Sequence, residues 1–245
     1  MLRKILQPFY TLYVIVTFVI SILIALPFIA LVSLADNMKG RKVIHMLIRM
    51  WSTVWLWLIG MPVKVKGMVP EGRHIIVANH ISYMDTLIIF PAISSYFRPL
   101  GKKEMSKVPV LGFIYKQVVI LVDRSNAVSR AVSMRLMWRV LRKEGNIVIF
   151  PEGTFNETED TLKSFYDGAF RLALNTQTDI LPLILPDTVD RWHFSAWWKI
   201  WPGKNRAVFL KPVKVAGMRQ DQVAELKQEV FSKMEAELVK YNQAK

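Results

Sequence analysis

The chain has 245 residues, 52% of them hydrophobic, with 33 Lys and Arg against 19 Asp and Glu, a formal charge of +14, and no cysteine. So apolar a composition excludes a disordered chain, and the lack of thiols excludes disulfides, thiolate metal sites, iron–sulfur clusters and cysteine nucleophiles. A basic chain with a mean hydropathy of +0.26 points to an anionic membrane surface before nucleic acid, and no helix-turn-helix, zinc-ligand spacing or ribonucleoprotein motif redirects it.

Residues 5–35 contain no charged side chain. At about 1.5 Å per residue such a helix is about 46 Å long. That exceeds the about 20 residues of one simple crossing and is about twice the apolar core of a signal peptide. Pro27 predicts a kink or break inside it. A second apolar stretch, 43–61, carries His45, Arg49, Trp51, Trp55 and Trp57, which predicts a helix lying in the headgroup layer. Residues 1–67 hold eight basic side chains and one acid, Asp36, a net +7. Basic residues flank the apolar run on both sides, so charge asymmetry sets no orientation. The expectation is an N-terminal membrane-anchoring helical segment over 1–61. It is either a kinked or re-entrant hairpin with both ends cytoplasmic, or a single crossing.

From residue 62 the pattern changes to short apolar runs separated by helical stretches. Strands are predicted at 63–66, 75–78, 97–101, 118–122, 147–150, 180–185 and 207–213. Helices are predicted at 86–90, 126–144, 168–175 and 221–241, with Gly145 stopping the second at its C′ position. This alternation predicts one α/β domain over 62–245 with a largely parallel or mixed sheet. No repeat or linker divides it. The 221–241 stretch has the apolar spacing of a helix that packs on the domain.

Function in such sheets concentrates where strands run into loops. The strand 75–78 leads straight into Asn79-His80-Ile81-Ser82-Tyr83-Met84-Asp85. Histidine titrates near neutrality and suits a general base. A carboxylate five residues later, across a tight turn, can fold back to fix its tautomer and stabilise its cation. The plainer alternative is that Ser82-x-x-Asp85 is a helix capping box and His80 a loop residue. The strand 147–150 leads into Pro151-Glu152-Gly153-Thr154, which is either a simple turn or an acid placed at a buried strand end. Lys102-Lys103-Glu104 and Asp123-Arg124 follow two further strands, so basic groups and acids converge on one edge of the sheet.

Asn79-His80-x4-Asp85 followed by Phe150-Pro151-Glu152-Gly153-Thr154 resembles the 1-acyl-glycerol-3-phosphate acyltransferase (lysophospholipid acyltransferase) family. The resemblance covers roughly residues 60 to 190 and includes Gly101-Lys102-Lys103-Glu104-Met105, Val122-Asp123-Arg124, the 162–170 stretch and Leu181-Pro182-Leu183. It implies a membrane-bound enzyme that moves a fatty acyl chain from an acyl thioester, coenzyme A or acyl carrier protein, to the free hydroxyl of a lysophospholipid. The implied product from 1-acyl-glycerol-3-phosphate is phosphatidic acid. His80 is then the base and Asp85 its orienting partner, with direct attack by the hydroxyl and no covalent enzyme intermediate. Glu152 and Gly153 would hold the glycerol part, with Thr154 beside them in the substrate site, and Lys102, Lys103 and Arg124 the phosphate. No cofactor is implied beyond the donor. The active site would face the cytoplasm from a bacterial inner membrane.

The chain departs from the family where an arginine usually follows Glu-Gly-Thr: here stands Phe155, with Glu157, Glu159 and Asp160 after it. The lysine expected within 162–170 is also displaced, Tyr166-Asp167 preceding Gly168, while Lys163 lies nearby. A lyso-aminolipid therefore stands as an alternative acceptor. From another class, a non-catalytic anionic-lipid-binding membrane protein explains the charge but not the acids at strand ends. Trp192, Trp197, Trp198 and Trp201, mixed with Arg191, His193 and Lys199, predict a second membrane contact. The four histidines show no local metal-ligand spacing, and there is no nucleotide-binding glycine loop.

Overall fold

The computed structural model describes residues 2–35, 37–123 and 127–243. The strand β2 (Ile75–Ala78) shows why this sequence makes a central sheet. All four residues are buried; Ile75 and Val77 join one apolar core and Ile76 and Ala78 the other. Successive side chains of a strand point to opposite faces, so a continuous apolar run is a strand covered on both sides. The other strands are β1 (Val63–Lys66), β3 (Phe97–Lys102), β4 (Ile120–Val122), β5 (Asn146–Ile149), β6 (Ile180–Ile184) and β7 (Asn205–Phe209). They form one sheet in the order β1-β7-β6-β2-β5-β3-β4. Neighbours are parallel except β6 and β7.

One face is covered by α3 (Asp85–Ala92) and α4 (Leu111–Val118), the other by α5 (Ala127–Lys143), α6 (Gly168–Thr176) and α8 (Val223–Gln243), while the single turn α7 (Thr188–Arg191) lies between β6 and β7. The chain leaves β2 through α3 to reach β3, and leaves β5 through α6 to reach β6. Adjacent strands β2 and β5 thus send their connections in opposite directions, over opposite faces. Such a switch point opens a crevice outside the strands' carboxyl ends.

The N-terminal helix α1 (Leu2–Ser33) runs unbroken through Pro8 and Pro27; the predicted break at Pro27 does not occur. It packs antiparallel on α2 (Met38–Leu58). Tyr13 OH donates to Leu58 O at 3.1 Å, Trp55 Nε1 to Thr17 Oγ1 at 3.3 Å and Trp51 Nε1 to Ser21 Oγ at 3.1 Å. Phe18 meets both indoles edge-on, at 5.6 and 5.2 Å. These contacts hold residues 13–21 of α1 against α2. Val14, Ile22 and Ile29 form the inward stripe of α1, while Phe9, Leu12, Ile20, Leu23, Ile24, Phe28 and Leu31 are exposed. Of its most apolar window only 17% is buried.

The α2 helix starts earlier than the predicted 43, capped by the Asn37 side chain, which accepts from Gly40 N–H. It does not lie free: Ile44, His45, Ile48, Ser52, Trp55 and Leu56 are buried, with His45 wedged among the rings of Phe90, Tyr96 and Phe97. Trp57, at 75% exposure, keeps the outer face with Met46, Met50 and Val54.

The predicted strand 118–122 shortens to β4 because residues 111–118 form α4, where a short apolar run reads equally as strand or helix. The predicted 207–213 shifts to β7, and Val213 returns only as an isolated bridge to Ile180. The helices at 86–90, 168–175 and 221–241 correspond to α3, α6 and α8. The predicted 126–144 corresponds to α5, with Asn126 outside the described residues. Gly145 has no left-handed backbone; its reason is proximity, since a Cβ there would lie 2.9 Å from both the ring and the carbonyl oxygen of Tyr96.

Candidate active site

Two loops meet at the switch point. The first follows β2, where Asn79 is tied to the end of β6: it accepts from Leu185 N–H at 2.7 Å and donates Nδ2 to Leu185 O at 3.3 Å. The chain then turns sharply into α3, whose first residue is Asp85. Asp85 is wholly buried. Its Oδ2 accepts from Ile81 N–H at 2.7 Å and Ser82 N–H at 2.8 Å and lies 2.9 Å from His80 Nδ1. The capping and histidine-partner readings of the sequence are therefore one arrangement, carried by a single oxygen. The other oxygen, Oδ1, is buried without a hydrogen-bond partner among the described residues. A carboxylate only accepts, so a hydrogen bond between the two uses a proton on Nδ1 and leaves Nε2 as the nitrogen that can act as a base. The His80 side chain is 15% exposed, enough to reach the crevice.

The second loop follows β5, which pairs with β2 up to Val77 opposite Ile149. Glu152 is also wholly buried. Its Oε1 accepts from His80 N–H at 2.7 Å and its Oε2 from Lys163 N–H at 3.2 Å. Burial pushes its carboxyl up to about 7, against the pull of those two donors. The geometry places Glu152 behind His80, against its backbone. On the other side of the same residue, Asn156 N–H donates to His80 O at 2.8 Å. The Asn156 side chain locks its own turn to Thr158 and Asp160. His80 is thus clamped at both its backbone groups, which fixes the aim of its ring.

Gly153 has φ +76° and donates to Phe150 O at 3.1 Å, a turn that a side chain would strain. Thr154 is exposed, and its hydroxyl accepts from Lys163 Nζ at 2.8 Å. Lys163 escaped assignment in the sequence because it lies nine residues from Thr154; its signal is that it is a lysine within the 162–170 stretch where the resemblance expects one.

The imidazole is framed by aromatic rings. Phe150 stacks on it at 4.3 Å and Phe155 leans over it at 4.4 Å. Phe155 in turn packs edge-on against Tyr83 at 4.8 Å and stacks with Phe194 at 6.0 Å. The tryptophan-rich segment divides. Trp192 turns inward onto Tyr83 at 5.0 Å, and its carbonyl accepts from Ser82 Oγ at 2.6 Å, while Trp197 and Trp198 stay exposed.

His80, Asp85, Glu152, Gly153 and Thr154 therefore form one knot. Lys102 ends β3 on the same edge of the sheet, and Lys103 follows it, 3.5 Å from Asp123 Oδ2. Since β5 separates β2 from β3, these lysines stand about 10 Å across the sheet from the β2 loop. Arg124 lies outside the described residues. Among the described residues no group of three or more His, Asp or Glu could hold a metal ion.

The acyltransferase family model matches residues 62–185, from β1 through the end of β6 and across both loops of the knot. The chain belongs to the acyltransferase family. Its relatives include a 1-acyl-sn-glycerol-3-phosphate acyltransferase of Borreliella burgdorferi, 35% identical over 137 residues, which are 54% of this chain and 54% of the relative. A 1-acyl-sn-glycerol-3-phosphate acyltransferase alpha of Ovis aries is 28% identical over 204 residues, 80% of this chain and 70% of the relative. The chain spans about half the length of the first of these. The crystal structure of the 1-acyl-sn-glycerophosphate (LPA) acyltransferase PlsC from Thermotoga maritima has the same fold, with a TM-score of 0.80 at 23% identity over 98% of each chain. That likeness includes the N-terminal helices, which lie outside the matched family segment, and it agrees with the mixed α/β sheet expected from the sequence.

Proposed function

We propose that this acyltransferase moves a fatty acyl chain from a thioester of coenzyme A or acyl carrier protein to the free hydroxyl of 1-acyl-glycerol-3-phosphate, yielding phosphatidic acid. The observation that carries the reading is a His80 ring with Nδ1 held by Asp85 and Nε2 open, with no enzyme nucleophile in line among the described residues. Cysteine is absent, the buried Ser82 hydroxyl is engaged by Trp192 O, and the Thr154 hydroxyl by Lys163. The acceptor supplies the nucleophile. Nε2 takes the hydroxyl proton as the oxygen attacks the thioester carbonyl carbon. The tetrahedral oxyanion then collapses, the C–S bond breaks, and the imidazolium returns the proton to the leaving thiolate. Asp85 stabilises that imidazolium.

In this reading Glu152 is a positioning residue for His80, and Gly153 and Thr154 line the edge where the glycerol sits. The acceptor phosphate meets Lys102, Lys103 and Arg124, joined by Lys163. The relatives named for 1-acyl-sn-glycerol-3-phosphate support this acceptor. No cofactor is required beyond the donor. The unpartnered apolar face of α1, with the basic residues around it, supports residues 1–61 as a membrane-associating segment that keeps the site at the cytoplasmic face of a bacterial inner membrane. A second reading, the same chemistry on a lyso-aminolipid, is favoured by Phe155, whose ring covers His80 where a phosphate-reading arginine is usual in the family.

The test is purified enzyme given a labelled acyl donor and a panel of lysolipids. Transfer to lysophosphatidate is expected, with a loss of about 10³-fold in His80→Ala. Full turnover in that variant would overturn the mechanism, and preference for a phosphate-free acceptor would select the second reading.

A further inference from the structure

A cavity of about 640 Å³ lies between the first two turns of α1 and the segment 189–199. Three basic side chains, Arg3, Lys4 and Lys199, line it together with His193 and Trp198, against one acid, Asp190. Its walls are fixed to each other. Thr11 Oγ1 donates to Trp198 O at 2.8 Å and accepts from Ile200 N–H at 3.3 Å, and the Arg3 guanidinium lies over the Trp201 ring at 5.2 Å. The cations are thus presented by a braced concavity and not by scattered surface side chains.

Three features say what fills it. The exposed apolar face of α1 begins beside it, at Ile5, Leu6 and Phe9, and Trp197 and Trp198 are 59% and 51% exposed at its rim. Indoles and cations next to an apolar helix face mark the depth of lipid headgroups. A concave site with excess positive charge at that depth suits a phosphate group, which accepts charge-assisted hydrogen bonds from Lys and Arg. Finally, the segment is coupled to the chemistry, because His193 forms an isolated antiparallel bridge with Ser82, two residues from His80.

We infer that this cavity is a headgroup subsite that takes the phosphate of an anionic bilayer phospholipid and so sets the His80 loop against the membrane surface. The inference rests on the membrane association proposed above. It is separate from the Lys102, Lys103 and Lys163 side of the crevice, and the lipid it holds is not the acceptor.

The experiment is flotation of the full chain with phosphatidylcholine vesicles, with and without phosphatidylglycerol. Lys4→Gln/Lys199→Gln is compared with Lys211→Gln/Lys240→Gln, which removes equal charge from the loop after β7 and from α8, on the far face of the sheet. The expected result is tighter binding of the wild type to the anionic vesicles, weakened about tenfold or more by the first pair and less than about twofold by the second. Equal weakening by both pairs, or none by the first, overturns the subsite. Free inorganic phosphate, competing for the same cations, should release wild type from the anionic vesicles more than chloride does at matched ionic strength; phosphate binding that leaves the vesicle-bound fraction unchanged assigns the cavity to a soluble anion and overturns the lipid. Wild type bound equally to both vesicle types overturns only this inference. Wild type bound to neither overturns the membrane association as well.

Discussion

The loops after β2 and β5 each bury one carboxylate completely, and each carboxylate accepts two backbone N–H groups, yet their bonds are distributed differently. Asp85 gathers Ile81 N–H, Ser82 N–H and His80 Nδ1 on one oxygen and leaves the other without a partner. Glu152 uses both oxygens, one for His80 N–H and one for Lys163 N–H. The first acid acts on the imidazole ring. The second acts on the backbone that carries the ring. An amide in place of each acid separates these roles, because an amide keeps one acceptor oxygen and replaces the other with a donor.

The largest effect is expected at Asp85→Asn. Its amide oxygen can serve all three donors while its NH2 occupies the position that is already unpartnered, so stability changes little. The charge opposite the imidazolium is lost, and turnover in the thioester assay should fall about a thousandfold. A variant that unfolds at much lower urea than wild type would show that the carboxylate's charge, and not its shape, holds the loop.

Glu152→Gln should behave the other way. One backbone N–H must face an amide NH2, at about 1–3 kcal/mol of stability, and the displaced His80 should lower turnover by only about tenfold. The pH dependence sharpens this contrast. The Glu152 carboxyl stands at about 7 in the fold against an ordinary 4.5, so the folded state holds its proton more tightly than the unfolded chain. Its stabilising contribution is present below about pH 4.5 and is lost as pH rises through about 7, by up to about 3 kcal/mol. Urea midpoints measured across that window should slope downward with pH in the wild type and flatten in Glu152→Gln. Parallel slopes would remove Glu152 as their source.

The smallest effect is expected at Asn156→Ala. The backbone N–H on His80 O remains, but the turn to Thr158 and Asp160 loses its side-chain ties. Stability should drop by about 1 kcal/mol and kcat severalfold, with KM unchanged. A change confined to KM would place this turn on the substrate side of His80.

Much of the knot was legible because its parts are contiguous in the chain. Histidine and aspartate lie five residues apart across one turn, and the Pro-Glu-Gly-Thr run leaves an apolar strand directly. The contacts between the two loops were not legible. Glu152 meets His80 across 72 residues, and only the pairing of β2 with β5 makes them neighbours. For the same reason Phe155 was visible as a departure from the family pattern, whereas its place over the imidazole was not. Trp192 read as one of four membrane-facing indoles until its packing on Tyr83 separated it from Trp197 and Trp198.

The α/β alternation, the long charge-free N-terminal run, the basic balance and the closeness of His80 to Asp85 could be read from the chain. All of these are local: periodicity, composition and short spacings are set within a few residues of chain. Tertiary structure alone decided that α1 passes through Pro27 unbroken, that β7 runs antiparallel to β6, that Glu152 grips the backbone of His80, and that Arg3, Lys4 and Lys199 share one cavity. Each of these depends on contacts between distant segments, whose energies arise only once the sheet has brought the strand ends together.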